Sequence, residues 1–185
     1  MKTDEIHQAI LDMRLRREAE LKQRYDRSLP FADGQFDRWE RAQRLGFGQG
    51  SSIYDSSFVF GEVSVGENSW IGPWTLLDGS GGKVLIGDYC SISAGVHIYT
   101  HDTAKWAVSG GSVPPKVGTV SISDNVYIGS QSVIGPGVSI GTRAVIGANS
   151  FVNKDVPNNS IFAGSPANEI GRVHVNDKNV EFIYS

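Results

Sequence analysis

Imidazole and thiol groups are scarce in this chain of 185 residues, which has four histidines and one cysteine. His97 and His101 stand just before a long irregular stretch, whereas His7 and His174 lie near the two ends. An imidazole can act as a base near neutral pH or bind a metal ion. Because a zinc site commonly needs at least three protein ligands, these two histidines alone fall short of one.

Charge and cysteine content narrow the possible classes of protein. Seventeen Lys and Arg against twenty Asp and Glu give a net charge of -3, which argues against general nucleic-acid binding. Cys90 has no partner for a disulfide within the chain and is predicted to be a small buried hydrophobic residue. No apolar run approaches the roughly 18 residues of a membrane span, and no signal-peptide core is present. We therefore expect a cytoplasmic protein without a transmembrane segment.

A six-residue repeat surrounds these positions. An aliphatic residue, usually followed by glycine, returns at Ile122, Ile128, Ile134, Ile140, Ile146 and Val152. The period fits neither an amphipathic strand nor a helix. It is typical of a parallel β-helix, in which three hexapeptides close one triangular coil and coils stack about 4.8 Å apart. Small or branched residues at the fifth positions should fit the cramped interior; they are Val126, Ser132, Val138, Ala144, Ser150 and Val156.

The repeat begins at Ile53 and is interrupted twice. Nine residues instead of six separate Leu77 from Ile86, which indicates a three-residue insertion within residues 79–82. The period then holds to Ile98 and is lost until Ile122. Residues 103–121 are predicted to protrude as a loop, and a long excursion from a regular coil is usually functional.

Counting hexapeptides in threes predicts which of them share a face. The units that begin at Leu77, Ile98, Ile134 and Val152 should stack on one another. His101 is then the fourth residue of its unit, and Gly137 should leave open space over its imidazole. Asp78 should lie about 7 Å along the strand from the point beneath His101.

The remainder of the chain divides around this coil. Residues 1–50 are predicted to form a helical segment and connector, with one helix over 3–24 and a short one beginning at Asp33. The first helix should pack against the coil or a neighbouring subunit; a membrane-surface helix is the alternative. Residues 51–172 form the β-helix domain, and residues 173–185 a short strand or loosely held tail.

Two motifs add a resemblance to a known family. The segment Ile98-Tyr-Thr-His-Asp102 with its long loop, and the closing Ile161-Phe-Ala-Gly-Ser-Pro-Ala167, resemble the hexapeptide-repeat acyltransferases, within them the galactoside, maltose and polysaccharide O-acetyltransferase branch. The resemblance covers about residues 53–172. It implies an all-β, left-handed parallel β-helix and a homotrimer with active sites between subunits. It further implies acetyl-CoA as cosubstrate in that cleft and no metal for catalysis.

The resemblance also implies roles for single residues. His101 matches the catalytic histidine, a general base that takes the proton from the acceptor as it attacks the thioester. Asp78 matches an acceptor-contacting acid, and Asp102 could orient His101 or hold a sugar hydroxyl. Trp106 could form an apolar wall for a sugar ring. A solvated turn residue is the alternative for each acid, and loop packing is the alternative for Trp106.

Further positions match the family's contacts with coenzyme A. Ser130 and Ala148 match backbone contacts to the pantetheine arm, and Tyr127 replaces the Trp that related chains often carry beside the cofactor. The remaining matches concern the phosphates and the adenine end: Lys154, Ala163, Gly164, Pro166 and Arg172.

The favoured function is acetyl transfer to a sugar hydroxyl, on a free saccharide, a nucleotide-linked sugar or a polysaccharide precursor. N-acetylation of a nucleotide-linked amino sugar is the alternative. Two less favoured classes are a γ-type carbonic anhydrase, which needs three histidines per site, and a non-catalytic trimeric scaffold.

Overall fold

The computed structural model describes residues 3–176 and 179–185 of the chain. Three helices come first: α1 (Thr3–Tyr25), α2 (Phe31–Gln35) and α3 (Arg38–Arg44). The predicted first helix is confirmed, but the prediction of one short helix from Asp33 is wrong. The chain forms two, because the Asp37 carboxylate caps α3 by accepting from the N–H groups of Trp39 and Glu40 at 2.9 and 3.1 Å. The Asp33 carboxylate instead accepts from the N–H of Ser56 at 2.9 Å and ties α2 to the first coil.

The coil itself consists of short strands separated by turns. The strands up to the long excursion are β1 (Ser52–Ile53), β2 (Phe58–Val65), β3 (Trp70–Ile71), β4 (Leu76–Ile86), β5 (Ser91–Ile92) and β6 (His97–Tyr99). The excursion holds β7 (His101–Asp102), α4 (Ala104–Val108) and β8 (Lys116–Val117). The coil resumes with β9 (Val120–Ile122), β10 (Tyr127–Ile128), β11 (Val133–Ile134), β12 (Ser139–Ile140), β13 (Val145–Ile146) and β14 (Phe151–Val152). Strands β15 (Ser160–Gly164), β16 (Ala167–Asn176) and β17 (Asn179–Tyr184) follow.

Parallel pairing arranges these strands on three faces. The first face stacks β1, β3, β5, β10, β13 and β15 in that order. The second face stacks the first residues of β2 and β4 with β6, β11 and β14, and the third stacks the last residues of β2 and β4 with β9 and β12. The predicted parallel β-helix is therefore confirmed.

Aliphatic columns fill the interior of the prism. On the second face Leu77, Ile98, Ile134 and Val152 lie in register and are fully buried, as the repeat count predicts. Each such side chain contributes roughly 1.5–3 kcal/mol by leaving water. Cys90, at 2% exposure, is buried as predicted, and burial raises the pKa of its thiol. The repeat therefore builds one continuous core that holds the turns at fixed positions.

The two interruptions have different structures. In the β2–β4 pair the register shifts after Gly61, so that Gly61 lies opposite Gly79 but Glu62 lies opposite Lys83. The three extra residues, 80–82, form the predicted insertion as a bulge. Residues 103–119 leave the coil through α4 and return along β8, so the predicted protruding loop is also present.

An antiparallel sheet closes the last coil, and the described residues at the carboxyl end take the strand alternative of the prediction rather than the loose tail. β15 pairs with β16, and β16 pairs with β17. The predicted domain boundary after Arg172 falls inside β16, so the closing segment and the last residues form one unit. Among the described residues, no helix is long and apolar enough to cross a membrane.

Candidate active site

His101 lies where the second face turns toward the third, at the base of the excursion. It opens β7, which pairs antiparallel with β8 so that His101 stands opposite Val117 and Asp102 opposite Lys116. The space beside Gly137 is open, as expected, since a Cβ there would meet no atom of the described residues within 4 Å. Gly137 does not stack directly on the His101 unit, because Gly118 of the returning chain lies between them: it donates to the Thr100 carbonyl at 2.9 Å and accepts from the Gly137 N–H at 3.2 Å.

The partner of His101 is Asp78. The side chain of Asp78 is 9% exposed, and its Oδ2 lies 3.6 Å from His101 Nδ1. The predicted offset of about 7 Å along the strand separates backbone positions, and the two side chains extend toward each other across it. Nδ1 is buried and makes no hydrogen bond within residues 3–176 and 179–185. At 3.6 Å the pair is slightly too long for a hydrogen bond, a gap that catalytic pairs often close when substrate binds.

The bulge fixes the Asp78 carboxylate. Its Oδ1 accepts from both the N–H and the hydroxyl of Ser80, which leaves Oδ2 turned toward the imidazole. The Thr100 hydroxyl donates to the Asp78 carbonyl at 2.7 Å and accepts from the N–H of Gly81 at 3.0 Å. A Cβ on Gly81 would lie 2.6 Å from His101 Cβ. Sequence reasoning missed the roles of Ser80, Gly81 and Thr100, although the insertion was the available signal.

A hydrogen bond between Nδ1 and Asp78 Oδ2, formed when the gap of 3.6 Å closes, would keep the imidazole proton on Nδ1. Nε2 would then be the nitrogen that accepts a proton from a bound hydroxyl or amine. The His101 side chain is 33% exposed, so this nitrogen belongs to a group that substrate can reach. The pair is therefore equipped for general base catalysis.

The structure does not bring Asp102 or Trp106 to the imidazole through a hydrogen bond. Asp102 is exposed, and its Oδ1 accepts from the N–H of Ala104 at 2.8 Å, where it stabilises the start of α4. Trp106 is 49% exposed and lies against the turn at Gly111, where a Cβ would be 3.5 Å from its indole nitrogen. The structure therefore shows a turn contact for Asp102 and a packing contact for Trp106. The predicted contacts of both residues with a sugar stay predictions.

Several predicted coenzyme A positions meet on a different edge, where the first face turns into the second. Ser130, Ala148 and Gly164 stack there on successive coils and are exposed; the Ser130 carbonyl accepts from the N–H of Asn149 at 2.9 Å. Within the described parts of the chain, no hydrogen bond uses the amide N–H of Ser130 or Ala148. The edge thus offers free donors to an extended ligand with carbonyl groups, such as a pantetheine arm.

The other predicted contacts are placed less favourably. Lys154 Nζ donates to Asn168 Oδ1 at 2.6 Å, and Tyr127 is 44% exposed on the first face. Arg172 is engaged by Glu169 at 2.9 Å, and it also donates to Asn158 and Ser160. It would have to leave these partners to bind a phosphate. Ala163 is half-buried beside Gly147, and Pro166 is exposed, with its carbonyl accepting from Asn168.

The edge with the free amides and the corner with His101 are separated by the full second face. That face is about six residues wide, which corresponds to about 20 Å. Among the described residues, no group of three or more His, Cys, Asp and Glu side chains could hold a metal ion.

Comparison with known proteins places this architecture in a family. Residues 119–154 match the family model described as bacterial transferase hexapeptide, six repeats. A galactoside O-acetyltransferase from Escherichia coli (strain K12) is 32% identical over 140 residues, which cover 65% of this chain and 68% of that protein. The chain therefore belongs to the hexapeptide-repeat acyltransferase family.

Solved structures agree with this assignment. A galactoside acetyltransferase in complex with coenzyme A superposes with a TM-score of 0.65 at 28% identity, covering 91% of this chain and 84% of that one. An N-acyltransferase from Bacillus cereus, in complex with dTDP and coenzyme A, gives a TM-score of 0.61 at 30% identity, covering 68% of this chain and 72% of that one.

Proposed function

We propose that this protein transfers an acetyl group from acetyl-CoA to a sugar hydroxyl, with His101 as the general base. The observation that carries the proposal is the pairing of a partly exposed imidazole with a buried, fixed carboxylate, Asp78 Oδ2 at 3.6 Å. The similarity to a galactoside acetyltransferase bound to coenzyme A supports both the donor and the acceptor class. A cytoplasmic location is part of the same proposal.

The chemistry follows from the two side chains. Nε2 of neutral His101 takes the hydroxyl proton as the acceptor oxygen attacks the thioester carbonyl. The resulting imidazolium is stabilised by the Asp78 carboxylate. When the tetrahedral intermediate collapses, the carbon–sulfur bond breaks and the imidazolium returns the proton to the departing thiolate. The products are the acetylated acceptor and free coenzyme A.

The position of the free amides supports a site shared between subunits. A donor held along the edge of Ser130, Ala148 and Gly164 lies about 20 Å from His101 of the same chain, across the second face. The His101 of a neighbouring copy would have to approach that edge. A row of mostly apolar side chains on the outer surface of the second face supports a contact between subunits there. The row consists of Phe58, Leu76, His97, Val133 and Phe151, which lie in register on successive coils. We propose a homotrimer with three such sites.

A screen of acceptors tests the function. Release of the coenzyme A thiol is followed with free saccharides, nucleotide-linked sugars and nucleotide-linked amino sugars. We expect transfer to a hydroxyl acceptor, reduced roughly 100-fold or more in His101→Ala but unchanged in His174→Ala, an exposed histidine on β16. Transfer only to the amino sugar would favour N-acetylation, which the N-acyltransferase neighbour supports. Absence of coenzyme A binding by calorimetry would instead favour the scaffold.

A further inference from the structure

The two halves of α1 have different surroundings. Its carboxyl half rests on α2, since Leu21 is buried and Arg17 Nε donates to the Gly34 carbonyl at 2.8 Å. Residues 3–16 are all exposed. They make about four turns of helix, roughly 21 Å long. Within this half Ile6, Ile10 and Met13, spaced four and three residues apart, form an apolar stripe at 42–47% exposure.

A groove lies beside the anchored half of the same helix. It has a volume of about 740 Å³ and is bounded by the carboxyl half of α1, by α2 and α3, and by the first coil. Three aromatic side chains line it and remain about half exposed: Tyr25, Phe36 and Trp39. A groove with this lining offers apolar contact area that no described part of the chain covers.

The groove also carries positive charge that the described residues leave without a carboxylate partner. Arg27 and Arg38 both direct Nη1 to the hydroxyl of Tyr54, at 3.4 and 3.0 Å, so two like charges share one neutral acceptor. Arg24 lies over the Tyr25 ring. Three of the acids that line the groove pair with other arginines, namely Glu20, Glu40 and Asp55. Asp33 and Asp37 accept from backbone N–H groups and keep their charge, so among the described residues of the lining the arginines without a carboxylate partner exceed the acids without a cation by one.

The exposed half of α1 has the complementary character. Residues 3–13 include three acids and no Lys or Arg, and Asp12 accepts from the neutral amide of Gln8 and forms no ion pair within the described chain. This half cannot reach the groove of its own chain, because α1 is one continuous helix whose other half forms the groove wall. A second copy can supply it.

We propose that the amino-terminal half of α1 from one copy docks in this groove of a neighbouring copy. Ile6, Ile10 and Met13 would cover the aromatic lining, and Asp12 would face the arginines. The contact joins two different surfaces, so it is heterologous, and repeated around a rotation axis it closes a ring. It involves neither His101 nor the donor edge, and it therefore stands independently of the proposed catalysis.

Crosslinking between two differently tagged, co-expressed copies tests the docking. One copy carries Ile10→Cys and the other Phe36→Cys, and the oligomer that contains both tags is treated with a short bismaleimide. Cys90 is buried and stays in place. We expect a crosslinked species of two chains from this pair and none from the parent protein. The matched control pairs Ile10→Cys with Ser139→Cys, an exposed position on the third face, and should give none.

Charge variants provide the second arm. Asp12→Lys and Arg27→Glu should each reduce the crosslinked fraction several-fold, and their combination should restore most of it. A monomeric protein, no crosslink between Ile10→Cys and Phe36→Cys, or a product from Ile10→Cys alone would overturn the proposal; the last result would mean that the helices pair with each other. In a His101→Ala background we expect the crosslink to persist without acetyl transfer, which separates the docking from the catalysis.

Discussion

The pairing of Asp78 with His101 gives the sharpest test of the site. Asp78→Asn removes the charge but keeps the shape of the side chain. The amide oxygen can still accept from Ser80, as Asp78 Oδ1 does now, so the bulge should remain. The amide NH₂ would then face His101 Nδ1 and donate to it. The proton of the neutral imidazole would move to Nε2, where it blocks the base.

The size of the effect follows from the distance and the exposure. At 3.6 Å, an imidazolium and a carboxylate attract by about 1 kcal/mol in water and about 4 kcal/mol at an effective dielectric constant of about 20. The His101 side chain is 33% exposed and that of Asp78 9%, so about 2 kcal/mol is a fair middle value. That energy corresponds to roughly a 30-fold loss of rate. Because the imidazolium forms only as the proton moves, the loss should appear in kcat.

The assay is steady-state acetyl transfer, with kcat and the acceptor KM determined separately. Asp102→Asn is the comparison variant, since Asp102 is next to His101 in sequence but its Oδ1 accepts from the N–H of Ala104. Its kcat should stay close to that of the parent, and the predicted contact with a sugar hydroxyl would show in the acceptor KM alone. A loss confined to the acceptor KM of Asp78→Asn would show that Asp78 binds the acceptor instead. A change in kcat under about threefold, or an equal loss of kcat in Asp102→Asn, would refute the pairing.

Further predictions concern the coil that supports this pair. Gly81→Ala places a Cβ 2.6 Å from His101 Cβ and should lower acetyl transfer about 100-fold by displacing the imidazole. The control is Gly135→Ala, which should leave transfer unchanged because the atom nearest to its added Cβ would be 3.5 Å away. Ile134→Asp buries an unpaired charge at a fully buried position, costing several kcal/mol, and should prevent folding as followed by circular dichroism. The Phe151 side chain is exposed on the second face, so Phe151→Asp should fold normally but sediment as a smaller species than the parent oligomer. A variant that assembles like the parent would contradict the proposed contact between subunits on this face. Burial raises the pKa of the Cys90 thiol, so native protein should react with a thiol reagent at least roughly 100-fold more slowly than unfolded protein. The contribution of this thiol to native stability should fall as the pH rises above the ordinary thiol pKa, where the thiol of the unfolded chain ionises. Rapid labelling of native protein would contradict the burial.

The six-residue repeat determined the fold, because each side chain's direction in a β-helix depends only on its place in the hexapeptide. For that reason the stacking of Leu77, Ile98, Ile134 and Val152 follows from counting along the sequence alone. The same counting located the insertion and the excursion, and it marked His101 as the residue at the base of the excursion. The starts of α2 and α3 could not be derived in this way, because the choice between Asp33 and Asp37 as the cap depends on a contact with the first coil.

Only the tertiary structure shows which of the two acids lies beside the imidazole. Asp102 is next to His101 in sequence, but the turn into α4 takes its carboxylate. Asp78 is distant in sequence, yet a bulge of three residues holds it against the imidazole. Likewise the sequence left Arg172 and Lys154 free for phosphates, whereas the closing sheet supplies partners for both. Periodicity predicts which way a side chain points, whereas its partner depends on which chain segments fold back beside it, and this local packing leaves no repeating pattern in the sequence.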